Sequence, residues 1–216
     1  PPSLGFVEDP FRNIGKVRNR GLEISATAQM LARDDIAWEL QAGVNTLQNR
    51  VFDLGGLAPF STIRFGQVNM VAEGRQVGAY HSHRIRRVDE SAGVAIVSDT
   101  IEVLGNLNPA LEGNIASTFT FLGNLRLYAN VDFKQDFMQY NATQVYRERN
   151  YQIDERWVMR DQLLTPEEQI RRFGPYVTES GEPIGAASVL EEYIEPADLI
   201  RLNEVSLSYQ LPTRMM

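Results

Sequence analysis

The hydrophobic and polar positions of this chain fall into a period of two over several separate stretches. From Gly21 to Met30, Leu22, Ile24, Ala26, Ala28 and Met30 share one parity, and Glu23, Ser25, Thr27 and Gln29 share the other. A β-strand turns successive side chains to opposite faces, so this spacing predicts a strand with unlike faces. Arg33-Asp34-Asp35 make a polar turn. A second run starts at Ile36, where Ile36, Trp38, Leu40, Ala42, Val44 and Thr46 alternate with Ala37, Glu39, Gln41, Gly43 and Asn45. Two such runs with a short link predict a β-hairpin. The pattern returns at Ile115–Leu122 and at Leu125–Lys134. In the latter, Leu125, Leu127, Ala129, Val131 and Phe133 face one way and Arg126, Tyr128, Asn130, Asp132 and Lys134 the other. Gly123-Asn124 between them supply a turn that tolerates positive φ. A last strand is expected from Leu199 to Leu211. Its apolar parity slips at Asn203-Glu204, where a bulge would keep Ile200 and Leu202 on the same side as Val205, Leu207 and Tyr209. Pro212 would end it.

The links carry topology. Those at 31–35 and 123–124 are short, and those at 47–114 and 136–198 are long. Outer-membrane barrels have short periplasmic turns and long outer loops. On that pattern Leu22–Met30 runs inward, Ile36–Thr46 outward, Ile115–Leu122 inward, Leu125–Phe133 outward and Leu199–Leu211 inward. Strict alternation allows zero or two spanning strands within 47–114, and the mixed faces there favour zero. The long links are expected to be outer structure, with one short helix. Thr165 is its N-cap, Pro166 its first residue and Gly174 its stop.

Composition narrows the function. The net charge is −7, which argues against a nucleic-acid partner. The 216 residues contain no cysteine, which removes disulfides, thiolate metal sites and thiol nucleophiles. No apolar run is long enough for a membrane helix, but membrane strands need only about 9–11 residues and hide half of them from lipid. Nothing at Pro1-Pro2-Ser3 reads as a leader peptide, so the chain is expected to be an internal piece of a longer protein.

Several segments resemble TonB-dependent receptors of the SusC/RagA type. Asn13 to Ile24 is similar to the family's N-x-G-x-x-x-N-x-G-x-E entry into a barrel strand, and Trp38 to Val51 to the strand that follows. Glu73-Gly74-Arg75-Gln76-Val77-Gly78-Ala79-Tyr80 resembles its EG-x-P-x-G-x-F/Y segment, with Gln76 in place of proline. Leu104 to Pro109 resembles its G-N-x-x-P stretch, and Leu199 to Pro212 its RL-x-x-V-x-L-x-Y-x-L-P strand. The resemblance implies an all-β fold. Residues 1–216 would be antiparallel strands of a single transmembrane β-barrel domain, with long extracellular loops, the plug lying upstream and the closing strands downstream. It further implies an outer-membrane location, lipid around the barrel, a SusD-like surface lipoprotein, TonB as a partner contacted elsewhere, import of glycans or peptides, and no cofactor.

Within that expectation Glu23, Gln29, Glu39, Gln41, Arg126, Tyr128, Asn130, Asp132 and Lys134 would line the lumen. Tyr80, His81 and His83, in the outer loops, are candidate ligand contacts. A solvated sheet face explains the charged residues equally well. Trp38, Phe119, Phe121, Phe133 and Tyr209 are candidates for aromatic girdles at the membrane rims, with ordinary packing as the competing explanation. His81-x-His83 would put two imidazoles on one strand face, but a metal site needs a third ligand. A soluble β-sandwich that binds carbohydrate predicts the same alternation with the apolar side turned inward. A secreted hydrolase would have to use one of these two histidines, and no G-x-S-x-G elbow supports it.

Overall fold

The computed structural model describes residues 15–61, 68–150 and 164–211. Asn13 and Ile14, which open the first family-like motif, and Pro212 lie outside the described residues. Fifteen strands are described: β1 (Lys16–Ala32), β2 (Ile36–Asp53), β3 (Phe60–Ser61), β4 (Asn69–Val71), β5 (Ala79–Ser82), β6 (Ile85–Asp89), β7 (Val94–Val97), β8 (Glu102–Gly105), β9 (Leu111–Phe121), β10 (Leu125–Gln135), β11 (Met138–Tyr140), β12 (Tyr176–Thr178), β13 (Pro183–Ile184), β14 (Ile194–Pro196) and β15 (Leu199–Tyr209). Two short α-helices, α1 (Ala142–Val145) and α2 (Pro166–Phe173), interrupt them. The fold is all-β.

The long strands form one antiparallel sheet in the order β1-β2-β9-β10-β15. Direct pairing of β2 with β9 means that 54–110 adds no strand to this sheet, the lower of the two allowed numbers. The short turns at 33–35 and 122–124 sit at one end of the sheet. Both long excursions leave and re-enter at the other.

Three boundaries differ from the sequence expectation. β1 begins at Lys16 and β2 runs on to Asp53, because the ladder continues through Gly21↔Leu47, Asn19↔Asn49 and Val17↔Val51. The alternation fades there since both faces become polar, which hid the extension. β9 begins at Leu111, four residues before Ile115. At the β9–β10 turn, positive φ falls on Leu122 (55°) and Gly123 (68°), not on Gly123-Asn124. Tight hairpin turns need positive φ to match the strand twist, and Leu122 accepts it where its side chain is 74% exposed.

The expected bulge at Asn203-Glu204 is present. Asn130 pairs with Glu204 and Val131 with Leu202, which leaves Asn203 unpaired. Ile200 and Leu202 are thereby aligned with Phe133 and Val131, on the same face as Val205 and Leu207 opposite Ala129 and Leu127. A second bulge lies between Gln29 and Leu31, at Met30. Gln29 Nε2 donates to the carbonyls of Leu31 (2.7 Å) and Trp38 (3.1 Å), satisfying main-chain groups where the ladder is broken. In the row Val44–Gly113–Phe133, a Cβ on Gly113 would come within 2.7 Å of the Phe133 ring, so glycine makes room for the aromatic side chain.

The stretches expected to be irregular are packed. The described residues of 54–110 and 136–198 together form three small sheets: β3-β4-β5-β8, β13-β12-β7-β6 and the pair β11-β14. Three buried clusters hold this body together. Val68, Tyr80, Leu190, Tyr193 and Ile194 form the first; Ile85, Ala95, Val97, Tyr176 and Val189 the second; Val51, Leu54 and Val71 the third. The first two draw on both excursions, so neither segment is a free loop. Short strands separated by turns gave no sustained period. They pair mostly within one excursion, and contacts about a hundred residues apart in sequence join the two: Ser82 Oγ accepts from Leu190 N–H at 2.7 Å and donates to the Ser188 carbonyl at 3.1 Å.

α2 forms where expected. Thr165 Oγ1 accepts from Glu168 N–H, and Glu168 accepts from Thr165 N–H at 2.8 Å, a capping box. Gly174 closes the helix at φ 73°. α1 was not foreseen; Asn141 caps it by accepting from Gln144 N–H at 3.0 Å.

Candidate transport surface

Opposed residues of a sheet share a face, so the register decides what each face carries. Five rows cross the sheet on one side: Glu23–Asn45–Glu112–Lys134, Ser25–Gly43–Asn114–Asp132–Arg201, Thr27–Gln41–Ala116–Asn130–Glu204, Gln29–Glu39–Thr118–Tyr128–Ser206, and Ala32–Ala37–Thr120–Arg126–Ser208. The register puts all nine residues named as lumen candidates on this one face.

The face is internally paired. Glu112 accepts from Asn45 Nδ2 at 3.3 Å and forms an ion pair with Lys134 at 3.4 Å. Asp132 pairs with Arg201 at 3.3 Å and receives Asn130 Nδ2 at 3.4 Å. Gln41 donates to Glu39 at 3.1 Å. Such partly exposed pairs contribute about 0–1 kcal/mol each, so they orient side chains more than they stabilise the sheet. Asn130 Oδ1 is buried and has no hydrogen-bond partner among the described residues. Glu112, Asn114 and Arg201 belong to this surface but were not among the sequence candidates. Carrying the parity of Ile115 back through Gly113 to Leu111 would have found the first two. The bulge at Asn203, applied to Ile200 and Leu202, would have found the third.

The opposite face is apolar and uncovered. Its rows are Ile24–Val44–Gly113–Phe133–Ile200, Ala26–Ala42–Ile115–Val131–Leu202, Ala28–Leu40–Ser117–Ala129–Val205, Trp38–Phe119–Leu127–Leu207 and Ile36–Phe121–Leu125–Tyr209. Ile115, Leu202, Val205, Leu207 and Ile200 are all more than half exposed. None of the three buried clusters draws a residue from this face. The described residues therefore place no second sheet over Leu125, Leu127, Val131 and Phe133, and a sandwich closed by this chain on itself is not what they form. Trp38, Phe119, Phe121 and Tyr209 gather in the two rows beside the short turns, with Phe133 near the other end.

The outer-loop candidates are placed differently from expectation. Tyr80, His81 and His83 are 4%, 6% and 7% exposed. His81 Nδ1 lies 2.7 Å from the Ala79 carbonyl and His83 Nδ1 2.7 Å from the Ser98 carbonyl, and Tyr80 packs in the first buried cluster. Burial pushes the His81 pKa below the ordinary histidine value, although the Ala79 carbonyl opposes the shift. These three side chains are interior parts of the loop body. His83 also lies outside β5, in the link before β6, so the two imidazoles do not share a strand face. Period-two reading could not see this, because it placed both histidines on one strand, whereas β5 ends at Ser82 and β6, in a different sheet, begins at Ile85.

The body's polar interior is a network around Glu148, which is 2% exposed. Arg172 pairs with it at 2.8 Å, Tyr193 Oη donates to it at 2.8 Å and Gln144 Nε2 at 2.8 Å. Arg149 stacks over the Tyr193 ring at 4.8 Å and donates to the carbonyls of Arg172 and Val189. Burial raises the Tyr176 hydroxyl to about 12 and pushes that of Tyr193 up as well, so both remain protonated donors. Two segments that carried the family resemblance also meet in this body: Gln76 Oε1 accepts from Asn108 N–H at 2.9 Å, tying the Glu73–Tyr80 stretch to Leu104–Pro109.

A strand sheet with one wet and one bare apolar face, short turns at one end and a folded body at the other, is the architecture of an outer-membrane barrel wall. Comparison with known proteins agrees. No family model matches the chain. Its sequence is 23% identical over 262 residues to TonB-dependent receptor P26 of Formosa agariphila, covering all of this chain and 24% of that protein. The structure superposes on the RagAB peptide transporter with a TM-score of 0.71 at 16% identity, and on the RagAB peptide importer in its open-open state with 0.70 at 15%. Each covers all of this chain, which spans about a quarter of the length of these proteins. At these identities the structural likenesses show a fold shared with part of those transporters. The relative and neighbours named here are receptors and transporters, not enzymes.

Proposed function

We propose that this chain is part of the wall and outer mouth of an outer-membrane TonB-dependent importer of nutrients such as glycans or peptides. One observation carries the reading: the register gathers the polar residues on one face of an open five-stranded sheet and leaves the other apolar and uncovered. Lipid cannot hydrogen-bond a backbone, so a spanning sheet must close and turn its apolar side outward. β1 and β15 would pair with further strands of a single barrel domain. Glu23, Gln29, Glu39, Gln41, Arg126, Tyr128, Asn130, Asp132 and Lys134 would line the lumen or hold the plug, and the free acceptor on Asn130 supports a partner on that side. The loop body would form part of the mouth, facing a SusD-like lipoprotein. The solved RagAB neighbours are named as a peptide transporter, which favours peptides among the substrates.

The test is uptake in a strain whose only copy of the full receptor is intact or deleted, with labelled oligopeptides and oligosaccharides offered separately. Receptor-dependent uptake of one class is expected. A receptor present in the outer membrane that changes uptake of neither would overturn the proposal.

A further inference from the structure

The apolar face does not run the full length of β1 and β2. Its last apolar row at the loop end is Leu22 opposite Thr46. The next two rows on the same face are Arg20 opposite Gln48 and Arg18 opposite Arg50. All three arginines are exposed, and none makes an ion pair among the described residues. Arg18 and Arg50 are directly opposed like charges, an arrangement that destabilises a strand pair unless an anion lies between them. The guanidinium carbon of Arg18 lies over the Phe52 ring, 4.7 Å from its centre, on the same face. Glu73 borders the hollow shared by Arg18 and Arg50, but its Oε1 is occupied by the Leu54 N–H at 2.8 Å.

We propose that Arg18, Arg20 and Arg50 form a binding site for the phosphate-bearing headgroup of an outer-leaflet lipid. This rests on the reading of the apolar face as lipid-facing. Neighbouring same-face positions along a strand are about 6.6 Å apart and opposed residues about 5 Å apart, so the three arginines rise from adjoining positions of one face, and Arg50 borders one hollow with Arg18 and another with Arg20. Guanidinium is the side chain best shaped to grip phosphate oxygens in pairs. The hydrocarbon row of Leu22, Ile24 and Val44 lies directly below, so acyl chains meet apolar residues where the headgroup meets arginine. That continuity selects a lipid over a soluble anion. The lumen-facing side of the same rows, Asn19 with Asn49 and Val17 with Val51, carries no charge.

The test uses the full-length receptor in detergent, given phosphatidylglycerol and washed, with retained lipid counted by native mass spectrometry and barrel assembly checked by heat-dependent gel mobility. Substituting Arg18→Gln, Arg20→Gln and Arg50→Gln is expected to weaken retention roughly fivefold per arginine, while the matching lysine substitutions, which keep the charge but lose the paired grip, weaken it less. Arg126→Gln with Lys134→Gln, on the other face, should leave retention as it was. Arg20→Gln alone carries the test if the triple variant fails to assemble. Unchanged retention in an assembled arginine variant overturns the site but leaves the barrel reading standing. Loss of retention in the Arg126/Lys134 variant instead overturns the assignment of faces. Displacement of the lipid by millimolar inorganic phosphate would show a free-anion site and overturn the lipid proposal.

Discussion

The long sheet and the loop body are built on opposite plans from one chain. In the sheet almost nothing is buried: only Val51 and Ala116 are buried along the five long strands, and large apolar side chains such as Leu207 stand 65% exposed. The body, with short strands and few regular hydrogen bonds, has three dry clusters and a buried ion-paired network. The body draws stability from its own core, and in the proposed setting the sheet draws it from neighbouring strands and from lipid. A fragment made of the sheet alone has two unpaired edges and is expected to associate in water.

The largest expected effect sharpens the body's side of this contrast. Tyr193→Ala, at a fully buried position, removes a ring and leaves Glu148 short of a donor, for a cost of about 3–5 kcal/mol in local stability. Limited proteolysis of the full receptor should cut residues 136–198 far faster while the barrel remains assembled. Loss of the barrel as well would show that the two regions fold as one unit. Next comes Ile115→Arg, in the apolar row that runs from Ala26 to Leu202. It should cost about 2–4 kcal/mol when the receptor is refolded into lipid vesicles, and Thr118→Arg, on the polar face, much less. Equal costs would erase the difference between the faces. Thr165→Ala removes one cap of α2 and should cost about 1 kcal/mol, read as faster hydrogen exchange in 166–173 alone.

The smallest effect is acidification. Because His81 has a lower pKa folded than unfolded, the unfolded chain binds more protons below the ordinary histidine value, and body stability falls as pH drops through that value. The protection of β5 amides, with the intrinsic pH dependence of exchange divided out, should fall between pH 8 and pH 5, and less so in His81→Asn.

The same contrast explains what the sequence could reveal. Where one face meets an apolar medium and the other water, the pattern repeats every two residues over ten or more positions. Hence Leu22–Met30, Ile36–Thr46 and Leu125–Lys134 were legible, and with them the common face of the nine polar candidates and the bulge at Asn203. Alternation failed where both faces turn polar, at Arg18–Arg20 and Gln48–Arg50, so the extensions of β1 and β2 were hidden. It failed again in the body, where strands of two to five residues are too short to show a period. Tyr80, His81 and His83 read there as ligand contacts of an outer loop, though Ala79 to His83 is a buried stretch. The resemblance to SusC/RagA-type receptors rested on both kinds of region, and the Gln76–Asn108 contact shows two of its motifs acting together.

In the proposed barrel the apolar face of the long sheet meets lipid and the polar face meets water or plug. Single cysteines placed in the reconstituted full receptor at Ile115, Val131 and Leu202, and at Thr118, Asn130 and Ser206, can each carry a fluorophore quenched by brominated lipid. Strong quenching is expected at the first three and little at the others. Quenching that is weak at all six, or that does not alternate along β9, β10 and β15, would contradict it.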